Sequence, residues 1–142
     1  MKLKTNRGLF KSIIFSILTL GIYDIALIYL AAKETNITCA GDGKKTSGLF
    51  LFILFSILTL GIYSWVWYYN IIERWGNYVR KQNQAPSLSG STYLLWLIVG
   101  AFLAGIGILV ATHLYLKAWN ETNEVYNRLA FPVQVPVDTV KP

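Results

Sequence analysis

Charged residues are scarce in this chain. They make up 14% of its 142 residues, whereas hydrophobic residues make up 54%; an ordinary soluble domain carries about 25% charged residues. The chain has one cysteine and one histidine, so it forms no internal disulfide, and a metal site from its own side chains is not expected. P-loop, nucleophile-elbow and paired-carboxylate motifs are missing as well. We therefore predict a protein that is not an enzyme and that needs no cofactor.

The apolar residues are grouped in three long runs. Asp24 is the one acidic or basic side chain in 12–32, there is none in 49–72, and His113 is the one in 91–116. Each run reaches the length of about 20 residues that a helix needs to cross a bilayer. None shows the polar stripe of a soluble core helix. The runs predict an all-α integral membrane protein with three apolar helical segments.

The phrase FSILTLGIY occurs twice, at 15–23 and 55–63. The surrounding residues 4–36 and 44–76 align at the same offset of 40, and nearly half of the aligned positions are identical. A third segment, 90–128, is a weaker echo. It places Gly105 on Gly61 and Trp119 on Trp75. We predict one membrane domain over 1–129, built from these copies, and an extended proline-containing tail over 130–142.

The glycine inside each run leaves two topologies open. In the first, three helices cross the bilayer, which puts the N-terminus, in the cytoplasm, on the same side as the loop near 73–90. In the second, each copy is a re-entrant hairpin bent at Gly21 or Gly61, and every loop is cytoplasmic. Basic residues are divided almost evenly between the two sides of the three-span arrangement, so the positive-inside rule does not choose strongly.

Small and hydroxyl-bearing residues recur at helical spacing in the runs. Such stripes let membrane helices approach closely, with another helix of this chain or a second copy as the partner. The alternative for serine and threonine is a hydrogen bond to the backbone four residues earlier. The predicted packing residues are Ser16, Thr19, Ser56, Thr59, Gly100, Ala104, Gly107 and Ala111.

Aromatic residues are concentrated after Gly61. Tryptophan and tyrosine favour the headgroup level of a bilayer, so we expect the second helix to leave the hydrocarbon near 67–69 and to continue as an amphipathic stretch along the membrane surface. The predicted interfacial aromatic residues are Trp65, Trp67, Tyr68, Tyr69, Trp75 and Trp119.

The phrase ILTLGIY followed by SWVWYYNIIERWGN resembles a family of small bacterial membrane proteins, the domain of unknown function 4234. The resemblance covers about 8–120, and the first copy departs from it at Asp24 and Ala26. It implies a bacterial inner-membrane location and no particular activity. The residues that fit the family pattern are Gly61, Ile62, Tyr63, Trp67 and Tyr69.

Two ionisable residues in the apolar runs, Asp24 and His113, are candidate functional groups because such groups are costly in lipid. Asp24 serves ion or proton movement, or it lies at the interface or at the start of a second helical piece. His113 is predicted to be interfacial. We expect the lipid bilayer to be one partner and nucleic acid not to be one. We predict a subunit, scaffold or regulator that associates with a membrane protein or with itself. An oligomeric transport or lipid-handling protein, or an immunity protein against a membrane-active peptide, are the alternatives.

Overall fold

The computed structural model describes residues 1–103 and 105–132, and the regular structure within them is entirely helical. This confirms the predicted all-α class. The six helices form three consecutive hairpins, and a short 3₁₀ turn, Ala40–Asp42, follows the first. The helices are α1 (Leu9–Leu18), α2 (Ile22–Thr38), α3 (Leu49–Leu58), α4 (Ile62–Lys81), α5 (Gly90–Phe102) and α6 (Ile106–Ala130).

The repeated phrase LTLGIY encodes the turn of a hairpin. In the first copy Leu20 and Gly21 have φ of +52° and +88°, which ends α1 in left-handed geometry. The Gly21 amide then donates to the Ser16 carbonyl at 2.8 Å, as at many glycine-terminated helices. The Thr19 hydroxyl donates to the Phe15 carbonyl at 2.6 Å and accepts from the Tyr23 amide at 3.0 Å. One threonine therefore joins the end of α1 to the start of α2.

The other two hairpins turn in the same way. Leu60 and Gly61 have φ of +52° and +90°, and Gly105 has φ of +84°. Thr59 repeats the two hydrogen bonds of the first turn. Of the two arrangements that the sequence left open, the described residues form the one bent at Gly21 and Gly61 and not three continuous helices, because left-handed residues interrupt each run. In the described part of the chain, no helix combines the length and the apolar character needed to cross a membrane.

The three hairpins are arranged in a cycle. The second helices, α2, α4 and α6, pack against one another in the centre, and each first helix packs on its own partner. Each first helix also packs on the second helix of the preceding hairpin: α3 on α2, α5 on α4, and α1 on α6. The last contact closes the cycle.

The C-terminal half of α4 belongs to the core. Ile71, Ile72, Trp75 and Val79 are at most 1% exposed. The prediction that this stretch lies along a membrane surface is wrong, since its apolar face is covered by α2 and α6. The helix is amphipathic as predicted, but its apolar side packs on other helices of the protein and not on lipid.

The small residues of the third segment serve the turn between α5 and α6. A Cβ atom added to Gly107 would lie 2.0 Å from the Gly100 Cα atom, so the two backbones touch. The predicted packing residues Gly100 and Gly107 therefore do not share one face of a single helix: they lie on α5 and α6 and meet face to face. Ala111 is fully buried. Ala104 and the tail residues 133–142 lie outside the described residues.

Candidate functional site

A buried ion pair lies between the N-terminal segment and the central helices. Arg7 donates to a Glu34 carboxylate oxygen at 2.6 Å, and the two side chains are 3% and 8% exposed. Burial lowers the pKa of Arg7, and the charge and hydrogen bond of Glu34 work against that shift. The Arg7 guanidinium also stacks 3.6 Å from the centre of the Trp119 ring. The second Glu34 oxygen accepts from the Trp119 and Asn123 side chains at 2.8 and 2.7 Å.

Arg74 forms a second polar centre, where the segment that joins the first two hairpins meets α4. Its guanidinium donates to both Asp42 carboxylate oxygens, to the Thr46 hydroxyl and to the backbone of the 39–44 segment. Burial acts to raise the pKa of Asp42, but the hydrogen bond from Arg74 and the Lys44 amide lower it overall. Arg74 aligns with Glu34 in the repeat, so corresponding positions carry opposite charges and both hold a junction together.

Asparagine side chains clamp extended backbone to the central helices. Asn127 and Asn120 on α6 each pair with the N–H and the C=O of one residue, Leu3 and Arg7 respectively. Asn36 on α2 holds Thr46 in the same way, at 2.8 and 3.0 Å. These clamps fix the chain entering α1 and the chain entering α3. Sequence reasoning missed them because two join segments 113 and 124 residues apart, and the third, across ten residues, has no sequence pattern that marks it.

Three of the six predicted interfacial aromatic residues are in the core. Trp67, Trp75 and Trp119 are at most 3% exposed. Their indole N–H groups donate to Ser47, Thr35 and Glu34 respectively. The prediction failed for them because a ring with one polar atom suits a hydrogen-bonded core as well as a membrane interface. Trp65 and Tyr69 are 50% and 37% exposed, and Tyr68 is half-buried against Tyr115.

The predicted polar stripe makes local bonds. Ser16, like Thr19 and Thr59, donates to the carbonyl four residues earlier. This is the alternative that the sequence left open. The buried Ser56 hydroxyl has no hydrogen-bond partner among the described residues.

Asp24 and His113 both lie at the surface. Asp24 is in the first turn of α2 and accepts from the Ser16 hydroxyl at 2.7 Å. Across residues 1–103 and 105–132, acidic, histidine and cysteine side chains form no group of three that could hold a metal ion. Burial raises the pKa of the Cys39 thiol, which disfavours the reactive thiolate.

The hairpin turns present uncovered apolar side chains. Leu20, Leu60 and Phe102 are 94%, 94% and 84% exposed. Around them, further leucine, isoleucine, valine and phenylalanine side chains of all three hairpins are also exposed. Soluble monomers rarely leave so much contiguous apolar surface in contact with water. We call these three regions, around 14–25, around 54–66, and around 98–103 with 105–109, the apolar tips.

On all three central helices, the surface side chains change from apolar to tyrosine or histidine, and then to charged, at the same distances from the turn. Eight residues after the turn glycine, α2, α4 and α6 carry Tyr29, Tyr69 and His113, all exposed. Twelve residues after it they carry Lys33, Glu73 and Lys117. At a rise of 1.5 Å per residue these two levels lie about 12 Å and 18 Å from the turns.

The three tips lie at the same end of the molecule. Trp75 stacks on Trp119 at 5.9 Å, and the earlier residues Tyr68 and Tyr115 pair at 5.2 Å, so α4 and α6 run in parallel. On α2, Glu34 and Thr35 reach the same tryptophans. All three central helices therefore begin at apolar tips and end in the polar centres.

An all-helical cycle of hairpins, with a hydrogen-bonded core at one end and apolar turns at the other, defines the structural class. The chain belongs to the family described as domain of unknown function (DUF4234), whose family model matches residues 7–77. The matched span contains the first two hairpins except for the last four residues of α4. No curated protein and no solved structure matches the chain.

Proposed function

We propose that this protein is a monotopic membrane protein that inserts three hairpin tips into one leaflet. The observation that carries the proposal is the shared order of surface residues along α2, α4 and α6: apolar from the turn, with Asp24 bonded to Ser16 as the charged exception on α2, then tyrosine or histidine, then charge. Aromatic side chains with a polar end favour the headgroup level, and charged ones favour water beyond it.

The dimensions support insertion into a single leaflet. The aromatic level lies about 12 Å from the turns, and half of a hydrocarbon core is about 15 Å. In the first two tips the backbone N–H groups of the turns donate within the turn or to the threonine hydroxyl, which reduces the number of backbone groups that lipid would leave unsatisfied. Fully burying one leucine or isoleucine side chain is worth about 1.5–3 kcal/mol, so several per tip give firm attachment.

In this arrangement the polar centres stay in water above the headgroups. The role we propose there is the one that the sequence predicts: a non-enzymatic subunit, scaffold or regulator that presents a rigid surface at a bacterial inner membrane. One buried and one partly buried ion pair and three asparagine clamps support it, because they hold the extra-membrane end in one shape. The transport and immunity hypotheses gain no support from the position of Asp24, which is bonded to Ser16 at the surface.

Single-cysteine labelling in sealed vesicles tests the topology. With Cys39 replaced by alanine, cysteines at Lys4, Lys44 and Ala85 should react with an impermeant maleimide from the same side. A cysteine at Leu60 should react with a permeant reagent only. In a three-span protein, Lys44 would be labelled from the side opposite to the other two. Protein that stays in the supernatant when vesicles are sedimented would overturn membrane insertion altogether.

A further inference from the structure

The junction between the first two hairpins contains an open cavity. Its volume is about 570 Å³, and it lies between α2 and the chain that enters α3. Tyr29 and Lys33 line it from α2, and Lys45, Leu49 and Leu51 line it from the other side. The cavity therefore extends from the charged level, past the aromatic level, toward the apolar surface of α3.

At the junction between the second and third hairpins, side chains of the protein fill the space that corresponds to this cavity. The Tyr69 ring lies over Gly90, 2.6 Å from where a Cβ atom would be. The Glu73 carboxylate accepts from the Gly90 amide at 2.8 Å, and the Ser89 hydroxyl accepts from the Thr92 amide. An anionic group from α4 thus covers the beginning of α5.

At the first junction the corresponding residue has the opposite charge. Lys33 aligns with Glu73, and α3 begins after Gly48 without a side-chain cap. In the described residues, neither Lys33 nor Lys45 forms an ion pair with a carboxylate. The Asn36 side chain and the Thr46 backbone, which also line the cavity, are hydrogen-bonded to each other. Two ammonium groups are left to face the cavity.

We propose that this cavity binds the phosphate headgroup of an anionic phospholipid. The phosphate takes the place that the Glu73 carboxylate holds at the next junction, between the ammonium groups of Lys33 and Lys45. Leu49 and Leu51 lie beside it on the tip side, where the glycerol and the first acyl carbons of a lipid would be. The proposal rests on the proposed membrane insertion, and it adds the class of lipid and its binding site.

Thermal unfolding of the full chain in neutral detergent micelles tests the site. Phosphatidylglycerol should raise the unfolding midpoint of the wild type by several degrees, and phosphatidylcholine should leave it unchanged. Lys33→Glu should supply the missing carboxylate internally. We expect this variant to melt higher without lipid and to lose the response to phosphatidylglycerol. Lys81→Glu changes the charge equally at an exposed site away from the cavity and should keep the response.

The remaining outcomes separate the possible explanations. If Lys33→Glu does not fold, Lys33→Gln replaces it, and an undiminished response there overturns the site. An equal shift with inorganic phosphate overturns the lipid as the ligand. Binding of the wild type to vesicles without a larger shift from phosphatidylglycerol than from phosphatidylcholine overturns the site but leaves membrane insertion standing. Failure to bind vesicles of either lipid overturns membrane insertion.

Discussion

At the scale of single residues, the buried charges of Arg7 and Glu34 neutralise each other in the core. Arg7 and Glu34 come from segments far apart in sequence, and both are removed from water. A buried charge is tolerated when a partner and further hydrogen bonds satisfy it. Glu34 accepts three hydrogen bonds, from Arg7, Trp119 and Asn123, so its charge is neutralised and both of its oxygens have partners.

Glu34→Gln should destabilise the protein strongly. The amide removes the negative charge and points a donor at groups that already donate, and breaking a buried pair in this way costs about 3–5 kcal/mol. Denaturant unfolding in detergent measures the loss. Glu124→Gln, at an exposed site on α6, makes the same chemical change and should have little effect. Equal midpoints for the two variants would contradict a structural role for the pair.

Asp24→Asn should strengthen membrane binding. Asparagine keeps an oxygen that accepts from Ser16, but the charge on the tip side of the aromatic level is gone. A charged residue costs about 2.5–3.5 kcal/mol at the centre of a membrane helix, and part of this cost remains because asparagine keeps a polar amide, so roughly tenfold tighter partition is expected, or about 1.4 kcal/mol. Sedimentation with vesicles reports it, with Glu124→Gln as the charge-matched control. Unchanged or weaker partition would place Asp24 in water.

At the scale of elements, each hairpin is defined by how closely its arms approach and by how its turn is made. The third hairpin brings two backbones together at Gly100 and Gly107. The first two use a threonine that bonds both helices and a glycine in left-handed geometry. These two requirements for glycine are different and can be separated by mutation.

Gly107→Ala should destabilise much more than Gly61→Ala. The new methyl group at Gly107 meets backbone at 2.0 Å, and neither arm can yield without opening the hairpin. At Gly61 no atom lies within 4 Å, so the cost is the left-handed conformation, about 1–2 kcal/mol. Thermal melting ranks the two variants, and Leu109→Ile serves as an exposed control. The opposite ranking would mean that α5 and α6 do not touch at this point.

Much of the element scale was accessible from the sequence. The repeat with Gly21 and Gly61 indicated where the chain could bend, and the family resemblance was correct. The choice between one long helix and a hairpin was not accessible, because both are apolar throughout. The burial of Trp119 and the two Glu34 partners on α6 were hidden for a different reason: they depend on contacts between segments separated by 85 residues or more.

At the scale of the whole molecule, the cycle is completed by the N-terminal segment. Residues 3–7 lie along α6, held by Asn120, Asn123 and Asn127. These hydrogen bonds add to the packing of α1 itself on α6, and they fix Arg7 in its position beside Glu34. The stability of the two ends of the chain is therefore coupled.

Asn120→Ala should loosen the N-terminal segment. It leaves the N–H and the C=O of Arg7 without their partner, at about 1–3 kcal/mol for each buried group. Hydrogen exchange at residues 3–7 should accelerate. Asn77→Ala, at an exposed position that bonds to Arg80 alone, is the control. If exchange at 3–7 stays as in the wild type, α6 does not hold this segment.

The closing contact also has a consequence for biosynthesis. Leu3 leaves the ribosome long before Asn127, its partner across 124 positions of the chain. Until the last helix emerges, Arg7 has no indole to stack on and Glu34 lacks two of its donors. During synthesis, the first and second hairpins therefore lack their contacts with α6 while their apolar tips are exposed. A bilayer that receives those tips early would shield them from aggregation until synthesis of the third hairpin completes the fold.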